Sequence, residues 1–283
     1  KVLGDSMKET IKFNNLTKKF NNDLALNKLN FSVHTGEIFG FLGPSGAGKT
    51  TTIKILTGQL SHDGGDITIL GQTPNTFQKI ANQVGVVSDT SGFYEKLSIY
   101  DNLLAYCKLF SVTRTRLNTL LKQVNLYNQR KTIVEKASTG MKQRFLLVRA
   151  IIHQPKLLFL DEPTSGLDPT TTKKIHELLT NLKKSGTTIF LTTHNMYEAT
   201  LLCDHLVLLN NGKVVEQGTP KNLITKYNSE KKVTLTYKNG TNEIIPFIKL
   251  KTVDDFSKIE TIHSCEPSLN DIFVTLTGGE LND

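Results

Sequence analysis

The sequence predicts an α/β protein in which a mixed, largely parallel sheet is covered by helices, followed by a small α+β unit. Three observations predict it. Short apolar runs rich in Phe, Val and Ile alternate with stretches of helical period over the first 230 residues. Polar stretch 226–232 coincides with a change of charge, from 28 Lys/Arg against 18 Asp/Glu before residue 231 to 6 against 8 after it. Beyond that point two β-rich runs flank Asn239-Gly240, which reads as a hairpin rather than a strand–helix–strand unit.

Residues 28–34 and 37–42 are short and apolar, and predict strands. Residues 49–56 predict a helix, and 66–70 and 83–87 two further strands. From about 98 to 135 the pattern is helical, rich in Leu, Lys and Asn, so a helical subdomain is expected at about 90–140. A helix is expected at 140–153, then a buried strand at 156–160. Helix 170–183 and strands 187–192 and 205–209 continue the alternation, and Asn211-Gly212 turns the chain into strand 213–216. In the tail, strands at 232–237 and 243–247, a short helix, a strand near 261–264 and a closing helix near 268–277 complete the second unit. The expected division is therefore 1–230 and 231–283.

Composition narrows the function classes. Of 283 residues, 38% are hydrophobic and 21% charged, which excludes a mostly disordered chain. The net charge of +8 is compatible with nucleic acid, a membrane surface or an anionic ligand such as a nucleotide. No apolar run reaches the roughly 18 residues a membrane span needs. Cys107, Cys203 and Cys265 are far apart and lack zinc or disulfide spacing, so they read as buried thiols.

Gly43-Pro44-Ser45-Gly46-Ala47-Gly48-Lys49-Thr50 fits GxxxxGK(S/T), after an expected strand and at the start of an expected helix. Glycines let backbone N–H groups close on phosphate oxygens, and the helix N-terminus adds a positive dipole end. Lys49 brings a charge to the β- and γ-phosphates, the Thr50 hydroxyl is a ligand for Mg²⁺, and Thr51 follows in the same turn. The loop alone does not say which nucleoside triphosphatase this is; the partner carboxylates bear on that. A second apolar strand ends in Asp161-Glu162. It delivers Asp161 to hold Mg²⁺ through water and Glu162 to polarise the attacking water as general base.

In these and further motifs the chain resembles the nucleotide-binding subunit of ATP-binding-cassette (ABC) transporters, over about residues 8–230. Ala137-Ser138-Thr139-Gly140-Met141-Lys142-Gln143-Arg144 is similar to the family signature LSGGQxQR, and Ser138 lies 23 residues before Asp161. Thr164-Ser165-Gly166-Leu167-Asp168 resembles the D-loop, His194 the switch histidine, and Phe20 the aromatic that stacks on adenine. The resemblance implies that Ser138 and Gly140 face the γ-phosphate of the nucleotide held by a second subunit. It also implies that His194 senses that phosphate and that Asp168 couples the two half-sites.

The departures are Ala137, Thr139 and Met141 within the signature, and Asp89 where the family has glutamine. Asp89 can reach Mg²⁺ directly or through water, and adds negative charge beside Glu162. Residues 266–278 resemble the end of bacitracin-resistance and multidrug exporter ATPases; they also read as an amphipathic closing helix with Leu269, Ile272, Phe273 and Leu276 on one face.

The resemblance implies an ATPase with ATP and Mg²⁺ that drives efflux of a peptide or hydrophobic drug. Its partners are a separate multi-span membrane subunit and a second nucleotide-binding subunit, at the cytoplasmic face of the membrane, with no nucleic acid expected. Two alternatives stay open: a non-transport ABC ATPase acting on ribosome or DNA, and a weakly hydrolytic regulatory partner, which Asp89 motivates.

Overall fold

The computed structural model describes residues 8–88, 92–253 and 255–278. In chain order the elements are β1 (Glu9–Phe20), β2 (Asp23–His34), β3 (Ile38–Leu42), α1 (Lys49–Leu56), β4 (Gly64–Ile69) and β5 (Val84–Val87). There follow α2 (Ile99–Leu109), α3 (Arg114–Gln123), α4 (Thr139–Ile151), β6 (Leu157–Asp161), α5 (Pro169–Lys184) and β7 (Thr188–Thr193). Next come α6 (Met196–Leu202), β8 (His205–Asn210), β9 (Lys213–Gly218) and α7 (Pro220–Tyr227). The tail holds β10 (Lys232–Tyr237), β11 (Asn242–Pro246), β12 (Ile259–Ser264) and α8 (Leu269–Thr277).

The central sheet has the order β5-β6-β7-β3-β8-β9, with β5 to β8 parallel and β9 antiparallel to β8. All residues of β3, β6 and β7 are buried, as expected for parallel strands covered on both faces. Asn211 and Gly212 both have positive φ, 47° and 70°, which gives the β8–β9 hairpin its tight turn. Phe39, Phe41, Phe159 and Phe190 fill one face and meet the second sheet, β2-β1-β4, through the stacked rings of Phe31 and Phe39.

The expected elements are present, with three differences before residue 231 and one after it. First, β1 carries no alternating pattern because register shifts interrupt it between Phe13 and Leu16 and again before Lys18, with Asn15 at φ 53°. The period of two is lost, so residues 9–20 do not read as a strand. Second, β2 begins at Asp23 rather than 28. Third, α6 and α7 are short helices started by Asn195 and Thr219, whose side chains accept from Glu198 N–H and Asn222 N–H. Seven or eight residues are too few for a helical period to stand out.

The helical stretch holds α2 and α3, capped by Ser98 and Thr113, and packs Leu103, Leu117 and Leu121 into the same buried cluster as Phe145 of α4. In the tail, β10 pairs antiparallel with both β11 and β12. The short helix expected there is two 3-10 segments, Phe247–Thr252 and Phe256–Lys258. Helix α8 opens with a capping box, in which Ser268 and Asp271 satisfy each other's backbone N–H groups. Its Leu269, Ile272 and Phe273 are buried in the cluster that also holds Leu202 and Leu223, so the last helix seats against α6 and α7.

Candidate functional site

The carboxyl ends of β3, β6 and β7 lie level. Leu42 pairs with Thr193 and Asp161 with Thr192. Everything that follows these strands therefore meets at one edge of the sheet, where ligands of open α/β folds bind. Residues 43–48 leave β3 there and enter α1.

At Gly48 the backbone has φ 109°, and a Cβ would stand 2.6 Å from Leu26 Cδ2, so only glycine fits. Ala47 is buried in the core, and its carbonyl accepts from Gly212 N–H at 3.2 Å. Lys49 turns back under the loop and donates to the carbonyls of Gly43 (2.7 Å) and Pro44 (3.1 Å). Burial pulls the Lys49 ammonium below its ordinary pKa, and the charges of Glu162 and Asp161 oppose that fall. A cavity of about 470 Å³ opens over the loop, and Ser45, Gly46, Gly48, Lys49, Thr50 and Thr51 line its floor.

The acids stand where the strand delivers them. Thr50 Oγ1 donates to Asp161 Oδ2 at 3.1 Å, and the hydroxyl of Thr192 donates to Asp161 Oδ1. Glu162 Oε1 lies 3.9 Å from Lys49 Nζ and 3.0 Å from His194 Nδ1. Glu162 itself has φ 48°. The donor set of Thr50 hydroxyl and Asp161 carboxylate, hard oxygens beside a phosphate loop, fits Mg²⁺ completed by water and substrate oxygens. Among the described residues no group of three His, Cys, Asp or Glu side chains could hold a metal ion, so this is no all-protein metal cage.

The remaining expected residues fall into two sets. Ser138 caps α4, accepting from Met141 N–H at 3.2 Å, and Gly140 follows in the first turn; neither lines the cavity, although Thr139 and Gln143 do. Asp168 caps α5, and the Thr171 hydroxyl and N–H hold its carboxyl below the ordinary carboxylate range. Phe20 sits half exposed at the β1–β2 turn beneath Lys18 Nζ, outside the cavity lining, whereas Ala25 of β2 lines it. Asp89 lies outside the described residues.

Sequence reasoning missed Ala25, Thr192 and the role of Gln143, whose Nε2 donates to the Glu162 carbonyl at 3.1 Å. Thr192 sits in a buried strand, and a threonine there carries no sign of its partner on the neighbouring strand.

A lysine beneath a glycine-rich turn, with a hydroxyl and two carboxylates at the carboxyl edge of a parallel sheet, defines a P-loop nucleoside triphosphatase. The sequence pattern of the ABC transporter family matches residues 26–165. The chain is 39% identical over 268 residues to the fluoroquinolones export ATP-binding protein MT2762 of Mycobacterium tuberculosis, covering 91% of this chain and 89% of that one. It is 38% identical over 216 residues to the bacitracin transport ATP-binding protein BcrA of Bacillus licheniformis, covering 75% and 70%. A solved ATP-binding subunit of an ABC transporter superposes with a TM-score of 0.69 at 28% identity, over 77% of this chain and 93% of that one. The chain belongs to the ABC transporter family as an ATP-binding, ATP-hydrolysing subunit.

Proposed function

We propose that this chain powers export, driving efflux of a peptide or hydrophobic drug through a separate multi-span membrane subunit at the cytoplasmic face. Relatives named as ATP-binding proteins of export and transport systems support a translocating partner on another chain. The export systems named for its relatives supply the substrate class. We propose the division at residues 230 and 231 as that between the ATPase and a small C-terminal unit.

The observation that carries the mechanism is the convergence of Lys49 and His194 on one oxygen of Glu162. ATP lies with its phosphates over Ser45 to Thr51. The backbone N–H groups of the loop and Lys49 take the β- and γ-phosphate charge. Thr50 and Asp161 would hold Mg²⁺; Asp89, which lies outside the described residues, is kept as a third candidate ligand on the sequence alone. The bound ion supplies charge neutralisation at the phosphates. Glu162 accepts the proton of the attacking water, and His194 keeps the carboxylate aimed and meets the γ-phosphate. Phe20 stacks on adenine. Ser138 and Gly140, at the N-terminus of α4, face the nucleotide of a second subunit, and Asp168 links the two sites. ATP closes the pair and hydrolysis lets it open, which switches access in the membrane subunit.

The test is co-purification in detergent followed by ATPase assay of the reconstituted complex. A multi-span membrane protein bound in stoichiometric amount supports the proposal; ribosomes or nucleic acid in its place would overturn it.

A further inference from the structure

Glu162 is held in a backbone conformation that residues other than glycine adopt only under constraint, with φ at 48°. Three hydrogen bonds constrain it. Glu162 N–H donates to the Thr192 carbonyl at 3.0 Å, and Ser165 N–H donates to the Glu162 carbonyl at 3.2 Å. Both are local to the strand ends. The third comes from elsewhere: Gln143 Nε2 of α4 donates to the same carbonyl at 3.1 Å.

Helix α4 meets this loop at Thr139 and Gly140. A Cβ on Gly140 would lie 3.2 Å from Leu167 Cδ2, and one on Gly166 would lie 3.8 Å from the Thr139 methyl. On its other side α4 is tied to the end of α3, because Arg144 donates to the carbonyls of Val124 (3.3 Å) and Asn125 (2.7 Å). The helix cannot shift without carrying the Gln143 amide with it.

We infer that Gln143 is a positioning residue for Glu162, which makes the aim of the carboxylate depend on how α4 is seated. Gln143 bonds the Glu162 backbone carbonyl, not its carboxylate. It fixes the peptide unit that follows Glu162, and so the direction in which the side chain leaves the backbone. The inference deepens the paired reading and rests on it for its purpose. If the N-terminus of α4 faces the nucleotide of a second subunit, occupancy of that site sets Gln143, and Gln143 sets Glu162 in its own chain. One subunit's base is then in place only when its partner's nucleotide is bound.

The test uses the full chain with Gln143→Met, which keeps length and removes the donor, and Gln143→Glu, which keeps shape and cannot donate when ionised. The expected result is a fall in kcat of about tenfold with KM for ATP and Mg²⁺ within about twofold, the pattern of lost placement rather than lost binding. Hydrogen exchange at Ser165 N–H should quicken by about tenfold while the β6 amides are unchanged, a readout that needs no turnover. Unchanged kcat together with unchanged Ser165 exchange overturns the inference.

A third arm places Gln143→Met on Glu162→Gln. ATP-driven pairing of that double variant should match Glu162→Gln alone. Loss of pairing only when Gln143→Met is added would assign Gln143 to the interface and overturn the inference. If Glu162→Gln alone fails to pair, the paired reading fails, and the exchange at Ser165 still decides whether Gln143 holds Glu162.

Discussion

Glu162 Oε1 stands 3.0 Å from His194 Nδ1, across the ends of two neighbouring parallel strands. The imidazole thus holds the one carboxylate oxygen that also faces Lys49 at 3.9 Å. Removing the ring frees the carboxylate without touching the phosphate loop. His194→Ala should lower the single-turnover hydrolysis rate by about a hundredfold and weaken ATP binding by only about a few-fold, the loss of one contact to the γ-phosphate. Titration with a fluorescent ATP analogue alongside rapid-quench hydrolysis separates the two effects.

Lys49 carries a pH dependence with a definite sign. Burial lowers its folded pKa below 10.5, so the free site begins to lose its positive charge before an exposed lysine would. The phosphates of ATP favour the charged form and raise that pKa on binding. ATP affinity should therefore be full below the folded pKa and fall as pH rises through it, with proton uptake on binding in that window. Calorimetry in alkaline buffers of different ionisation enthalpy measures the uptake. Lys49→Ala should abolish both the uptake and most of the affinity.

Thr192 is fully buried and donates to Asp161, which is 7% exposed. Thr192→Val keeps the volume and strips one donor from a buried carboxylate. A loss of about 1–3 kcal/mol in unfolding free energy is expected, read by chemical denaturation. Added Mg²⁺ and ATP should recover part of that loss by binding the folded state only.

The tail depends on its capping box. The Ser268 hydroxyl and N–H lower the Asp271 pKa below 3.8 in the folded chain. Its stabilisation is present above 3.8 and is lost as pH falls through the lowered value. Asp271→Ala should cost about 1 kcal/mol near neutral pH, and the difference from the parent chain should shrink in acid. Thermal melts at both pH values check the sign.

The phosphate loop was legible because its chemistry is local: residues 43–50 carry glycines, lysine and threonine in one run, and the helix that follows begins at Lys49 as the pattern requires. Asp161 and Glu162 were legible for the same reason, being the end of an unbroken apolar strand. What the sequence withheld is relational. The bond from Thr192 to Asp161 joins residues 31 apart, and that from Gln143 to Glu162 residues 19 apart. Each depends on strand order and helix seating, which no local period encodes. The bulges of β1 hid a whole strand, although its partner β2 was read in part.

In the proposed pairing each of two nucleotide-binding subunits completes the other's nucleotide site. The most direct test of that pairing is the molar mass of Glu162→Gln by light scattering, with and without ATP and Mg²⁺. The amide keeps the shape of the site and cannot take the proton of the attacking water. A monomer is expected without nucleotide, with a doubling of mass when ATP is added, reversed by its removal. A chain that binds ATP and remains monomeric at saturating nucleotide would contradict the pairing.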